Sequence, residues 1–145
     1  MSVTSVSLSS SHSFSKSAVP STTLIPNHGV KGGAHEGPTV QHRPIRNVRP
    51  SDVNLRQVHL MHVGILQQVS TDPATGTKAI YLKPGQLGKN ITTQGVDLLS
   101  LPKATKLLFV DSKSSKLDAQ TLRLTGLCNP GQIDALRKGL KDRFF

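Results

Sequence analysis

Between Arg56 and Lys83 the chain reads RQVHLMHVGILQQVSTDPATGTKAIYLK, its longest apolar stretch, followed by its densest turn and its only Tyr. Read as a strand from Gln57, one face carries Met61, Val63, Ile65 and Val69. The other carries Val58, Leu60 and Leu66, with His62 and Gly64 between them. Apolar residues on both faces suit a strand covered on both sides, and a glycine inside it suggests a bulge or a close backbone approach. A helix competes, because Val58, Met61, Ile65 and Val69 also recur at helical steps. The Val and Ile content, Gly64 and the downstream turn favour the strand. Ser70–Thr77 (STDPATGT) is rich in turn formers, with Asp72-Pro73 to start a turn and Gly76 tolerant of positive φ near its end. Lys78–Lys83 then alternates, Ile80 and Leu82 against Ala79 and Tyr81. The expectation is a β-hairpin with a long loop.

Upstream, Met1–Pro50 reads as a disordered tail. Ten of its first 21 residues are Ser, its apolar residues are single rather than periodic, and Pro20, Pro26, Pro38, Pro44 and Pro50 punctuate it. Such a segment buries too little apolar area to offset ordering, which costs roughly 1–2 kcal/mol per residue in backbone entropy. A domain is expected over 51–145. Within it Pro84–Gly95 reads as a loop with at most a short edge strand at Ile91–Thr93, and the glycosylation-like triplet Asn90-Ile91-Thr92 reads as chance. Thr105–Val110 (TKLLFV) is expected to be a core strand. Leu117–Thr125 is expected to be a last, edge-like strand with Leu122 and Leu124 facing inward. Asn129-Pro130-Gly131-Gln132 has the order of a helix start. Ile133, Leu136, Leu140 and Phe144 then fall on one helical stripe. The predicted fold class is therefore α+β: a small, mostly antiparallel sheet of four or five strands with a C-terminal amphipathic helix, preceded by a disordered N-terminal tail.

The net charge of +10 and pI near 10.3 favour anionic partners. Four Phe, one Tyr and no Trp argue against base-stacking modules, so any nucleic-acid contact should run through Lys and Arg to phosphates. The predicted anion-binding residues are Arg43, Arg46 and Arg49 in the tail, then Lys113, Lys116, Arg137, Lys138 and Lys141. The predicted self-association stripe is Ile133, Leu136, Leu140 and Phe144. No apolar stretch reaches the ~18 residues of a membrane-spanning helix. Cys128 alone excludes an internal disulfide and a Cys-rich zinc site, and a lone thiol before a helix start reads as inert rather than reactive. His59 and His62 would lie on opposite faces of a strand, with only the tail histidines His12, His28, His35 and His42 to complete a ligand set, so no metal is expected. Gly85–Lys89 lacks the full spacing of a phosphate loop, and no nucleophile motif frames any Ser. Neither a catalytic residue nor a cofactor is expected.

A basic arm before a compact domain has a general likeness, in organisation rather than in motif, to viral nucleocapsid and matrix proteins. The expected function is a non-enzymatic structural protein that self-associates as a homo-oligomer and binds an anionic polymer, RNA first, with an acidic membrane surface as another partner of the same charge. The alternative is an organelle-imported, plastid-type accessory subunit, since the first 35 residues are Ser-rich and free of acids. The first reading places the chain in a host cytoplasm or virion, the second in a plastid.

Overall fold

The structure is a computed structural model that describes residues 1–71, 75–77, 80–110 and 120–124. Two compact units are present. Within the described residues, the first is Met1–Val96 and the second lies in Asp97–Leu127.

In the first unit the strands are β1 (Ser2–Leu8), β2 (Ser17–Val19), β3 (Leu24–Ile25), β4 (Gly29–Val30), β5 (Leu60–His62) and β6 (Ile91–Gln94). The helical elements are α1, a single turn at Arg43–Arg46, and α2 (Val63–Ser70). A mixed sheet runs in the order β2-β1-β6-β5, and β3 with β4 forms a separate ribbon. β1 pairs antiparallel with β2 and with β6, with a register shift between Val3 and Ser5. β5 pairs parallel with β6, Leu60 opposite Ile91. A parallel pair needs a long crossover, and α2 lies in the connection that supplies it.

The disordered tail is thus overturned: β1 sits inside the sheet between β2 and β6. The reason lies in what β1 buries. Its fully enclosed residue is Ser7, whose N–H donates to the Asn90 carbonyl at 2.8 Å. Across the sheet Thr92 and Thr93 are equally enclosed. Thr93 Oγ1 donates to the Met61 carbonyl at 3.4 Å, and Thr4 Oγ1 donates to the Thr92 carbonyl at 3.2 Å. Small hydroxyl side chains can fill a tight interior where their donors find acceptors, as Thr93 Oγ1 does, so this core has a polar layer that apolar periodicity does not register. Ile91–Gln94 is accordingly an interior strand rather than an edge.

The rest of the tail is tied down by its backbone. Asn54 N–H donates to the Pro38 carbonyl and Val40 N–H to the Asp52 carbonyl, flanking an isolated bridge between Thr39 and Val53. Asn54 Nδ2 donates to the carbonyls of His35 and Gly37 at 2.9 and 3.0 Å. Gly85, at φ +88°, lets the 85–88 loop close on the N-terminal segment: a Cβ there would overlap the Lys16 carbonyl and the Ser7 hydroxyl.

The expected hairpin is also corrected. Strand geometry lasts only three residues, and the chain turns helical at Val63. His62 is the N-cap, with an extended backbone and Nδ1 accepting from Gly64 N–H at 3.0 Å. A Cβ on Gly64 would crowd that imidazole, so the glycine serves the cap rather than the strand bulge or backbone approach its position suggested. α2 buries Leu66, Val69 and Ser70. Leu66 and Val69 join Met61, Leu82 and Leu87 in the apolar core, with Phe14, Val63, Ile65 and Ile80 packed around it. The helix ends where hydroxyls compete for its carbonyls: Ser70 Oγ donates to the Leu66 carbonyl and Thr71 Oγ1 to that of Gln67. Downstream, the in–out alternation of Leu82 (buried) and Tyr81 (exposed) holds, but without a strand.

In the second unit β7 (Lys106–Phe109) and β8 (Gln120–Arg123) form an antiparallel ribbon, Leu107 opposite Leu122. Both fall in segments predicted to be strands. Over the described residues the protein is mostly sheet with one short helix, α2, so the α+β class resting on a C-terminal helix is replaced. The predicted helix from Asn129 onward lies outside the described residues.

Candidate functional site

Two features of the first unit carry charge or titratable chemistry. The first is the surface of 45–56. α1 opens at Arg43, and Arg46, Arg49 and Arg56 are all exposed. Three large apolar side chains stand among them: Val48 at 77% exposure, Val53 at 71% and Leu55 at 61%. The segment is held rather than loose, because Arg49 N–H donates to the Ile45 carbonyl at 2.7 Å and Arg56 N–H to Asn54 Oδ1 at 3.1 Å. Arg49 Nε lies 3.7 Å from the Asp52 carboxylate, both well exposed. An exposed pair of that kind is screened and worth little, so the guanidinium stays available to an anion that binds it in two places.

The second feature was not foreseen. His12, His35, His42 and His59 come from segments scattered along the sequence and meet in one cluster. The His35 ring centroid lies 4.9 Å from His12, 5.0 Å from His59 in an edge-on arrangement, and 6.3 Å from His42. His12 Nε2 bonds the Gln41 carbonyl at 2.9 Å. The Nδ1 atoms of His35, His42 and His59 are buried and meet no hydrogen-bond partner. Beside them Lys16 is buried, its Nζ donating to Asn90 Oδ1 at 2.8 Å, and the same Oδ1 accepts from His59 N–H at 3.2 Å. Burial and the neighbouring Lys89 lower Lys16 to about 8. Burial, then Lys16, His12 and His42, lower His35 to about 4. Burial, then Lys16, His35 and Lys89, lower His59 to about 3, with Asn90 pulling the other way. His42 is lowered by burial, Arg56 and His12. At neutral pH the imidazoles of His35, His42 and His59 are therefore neutral and Lys16 is charged.

Among the described residues no group of three or more His, Cys, Asp or Glu is arranged to hold a metal ion, and no helix is long and apolar enough to cross a membrane. The Asn90 side chain is fully engaged, since its Nδ2 also donates to the Ser7 carbonyl at 3.3 Å. Of the predicted anion contacts, Arg43, Arg46 and Arg49 fall together on α1 and the turn after it. Arg56, absent from that set, is also exposed on the 45–56 segment. Lys113, Lys116, Arg137, Lys138 and Lys141 lie outside the described residues, as do Ile133, Leu136, Leu140, Phe144 and Cys128. The histidine cluster was hidden because its members are separated by up to 47 positions and three sit in the stretch read as disordered. No family model, curated protein or solved structure matches this chain.

Proposed function

We propose that this chain is a non-enzymatic basic structural protein that binds an anionic polymer, RNA first, through the surface of 45–56, and that it self-associates. The observation that carries the reading is the exposed triad of Arg46, Arg49 and Arg56 on a hydrogen-bonded segment, within a chain of net charge +10. Guanidinium groups fixed on an ordered segment lose little freedom on meeting phosphates, and they contact the backbone without reading sequence. The exposed Val48, Val53 and Leu55 add apolar area where a partner would cover it. The competing reading, an imported subunit that sheds its N-terminal region, requires the sheet to survive without β1, and the seat of β1 between β2 and β6 weighs against it.

The test is RNA binding by the Arg46→Ala, Arg49→Ala, Arg56→Ala triple variant, measured across salt concentrations and against several unrelated sequences. Loss of three phosphate contacts should weaken binding evenly across sequences and lower the salt slope by about 2 units. Full retention of affinity at low salt would remove the contact from this surface. Mass measurement by light scattering tests self-association separately, and a monomer at all concentrations would end that part of the proposal.

A further inference from the structure

The histidine cluster gathers four stretches of the first unit that lie between its strands or just before them. His12 and Lys16 lie on the segment between β1 and β2, His35 and His42 on the segment from β4 to α1, His59 just before β5, and Lys89 and Asn90 just before β6. The groups that act electrostatically on the cluster are Lys16, Lys89 and Arg56, all cationic. The acid beside His35 in sequence, Glu36, is engaged elsewhere, accepting from Gly32 N–H at 2.7 Å. Among the described residues no carboxylate bears on these rings, the buried Nδ1 atoms of His35, His42 and His59 meet no hydrogen-bond partner, and the single contact favouring a charged ring is Asn90 on His59. The packing suits neutral rings and is hostile to charged ones.

We propose that His35, His42 and His59, packed with His12 and Lys16, form an acid-sensitive latch: the neutral rings of His35, His42 and His59 hold the 9–16 and 35–42 segments onto the sheet, and protonation of those three releases them. This inference does not rest on the RNA-binding reading. The sign follows from the linkage between proton binding and opening. In an opened segment an imidazole takes a proton near its ordinary value of 6.5, whereas His35 and His59 in place resist until about 4 and about 3. The opened form therefore binds more protons over that whole window, and acid favours it. Above pH 6.5 the histidines contribute no such penalty, and the latch is closed. Several protons act together, so the change should be steeper with pH than one independent titration. Each released ring also joins Lys16, Lys89 and Arg56 as a further cation on the opened face.

The experiment follows the full-length protein by NMR from pH 7.5 to pH 4, reading the imidazole carbons and the backbone amides together. The expected result is that His35 and His59 remain neutral until amides of 9–16 and 35–42 lose their native shifts in one transition. Two substitutions move that transition. His35→Phe keeps a ring in place without a titrating nitrogen, and Lys16→Met removes the cation that bears on both His35 and His59. Each should carry the midpoint to lower pH, while His28→Gln, on an exposed residue outside the cluster, should leave it in place. If His35→Phe or Lys16→Met fails to fold, the wild-type imidazole titration alone decides. Protonation of His35 and His59 one by one near pH 6.5, with the amide spectrum unchanged, would overturn the latch. So would an acid transition whose midpoint neither folded variant shifts.

Discussion

Asn90 is the residue on which the polar interior turns. Its Oδ1 accepts from the buried Lys16 ammonium and from the His59 backbone, and its Nδ2 donates to the Ser7 carbonyl, so one side chain bridges three stretches of chain. Asn90→Ala leaves a buried ammonium and a buried N–H without their acceptor. It should lower stability by about 3 kcal/mol or more in urea denaturation followed by circular dichroism. Asn90→Asp keeps the acceptor oxygens and gives Lys16 a counter-charge, and should cost less than Asn90→Ala. Equal losses for the two would mean that the Lys16 contact contributes nothing. None of this was legible in sequence, where Asn90 appears only as the first residue of a chance glycosylation triplet. A buried Asn announces itself through partners distant in the chain, here as far as 83 positions away, and local pattern carries no trace of them. Gly64 was misread for a related reason: inside an apolar run it suggested a strand bulge or a backbone approach, whereas it lies in the first turn of α2 beside the side chain of His62, the ring that caps the helix.

At the scale of elements, the run from Gln57 shows where periodicity succeeds and where it is ambiguous. Met61 and Leu82 were legible as core, but the boundary between strand and helix was not, because Met61, Ile65 and Val69 satisfy both spacings and the deciding feature is the His62 cap. β6 was underestimated for a related reason. Its Ile-Thr-Thr core has the β-branched character of a strand, yet four residues between glycine-rich turns look like an edge until β1 and β5 are known to flank it. The packing of α2 can be tested directly. Leu66 is enclosed among Met61, Val69, Leu82 and Leu87, so Leu66→Ala should cost about 2–5 kcal/mol, whereas Gln67→Ala, one position along on the exposed face, should cost under about 0.5 kcal/mol. Thermal melts of the two variants beside the parent measure the contrast. Similar small shifts in both would show that α2 does not close the core as described.

For the molecule as a whole, the decisive correction is that the Ser-rich beginning of the chain is structural. Composition pointed the other way because disorder is inferred from missing apolar area, and that inference presumes an apolar core. Here β1 stabilises the sheet through a ladder of backbone hydrogen bonds to β2 and β6 and through enclosed hydroxyls, with Ser7, Thr92 and Thr93 filling space that larger residues could not enter. Deleting Ser2–Leu8 would strip β2 of its partner and leave one edge of β6 unpaired with Thr92 and Thr93 uncovered. A free flexible arm could be removed with no effect on the rest of the chain; this strand could not. The deleted protein should lose the native amide dispersion of β6 and β5 and tend to aggregate through the newly bared edge. In the intact protein, Val6 and Ser7 should exchange their amide hydrogens as slowly as Ile91–Thr93, since all belong to one hydrogen-bonded sheet. A deletion variant with native dispersion, or fast exchange throughout Ser2–Leu8, would return these residues to the status of a tail and remove the central strand pairing on which the first unit is built.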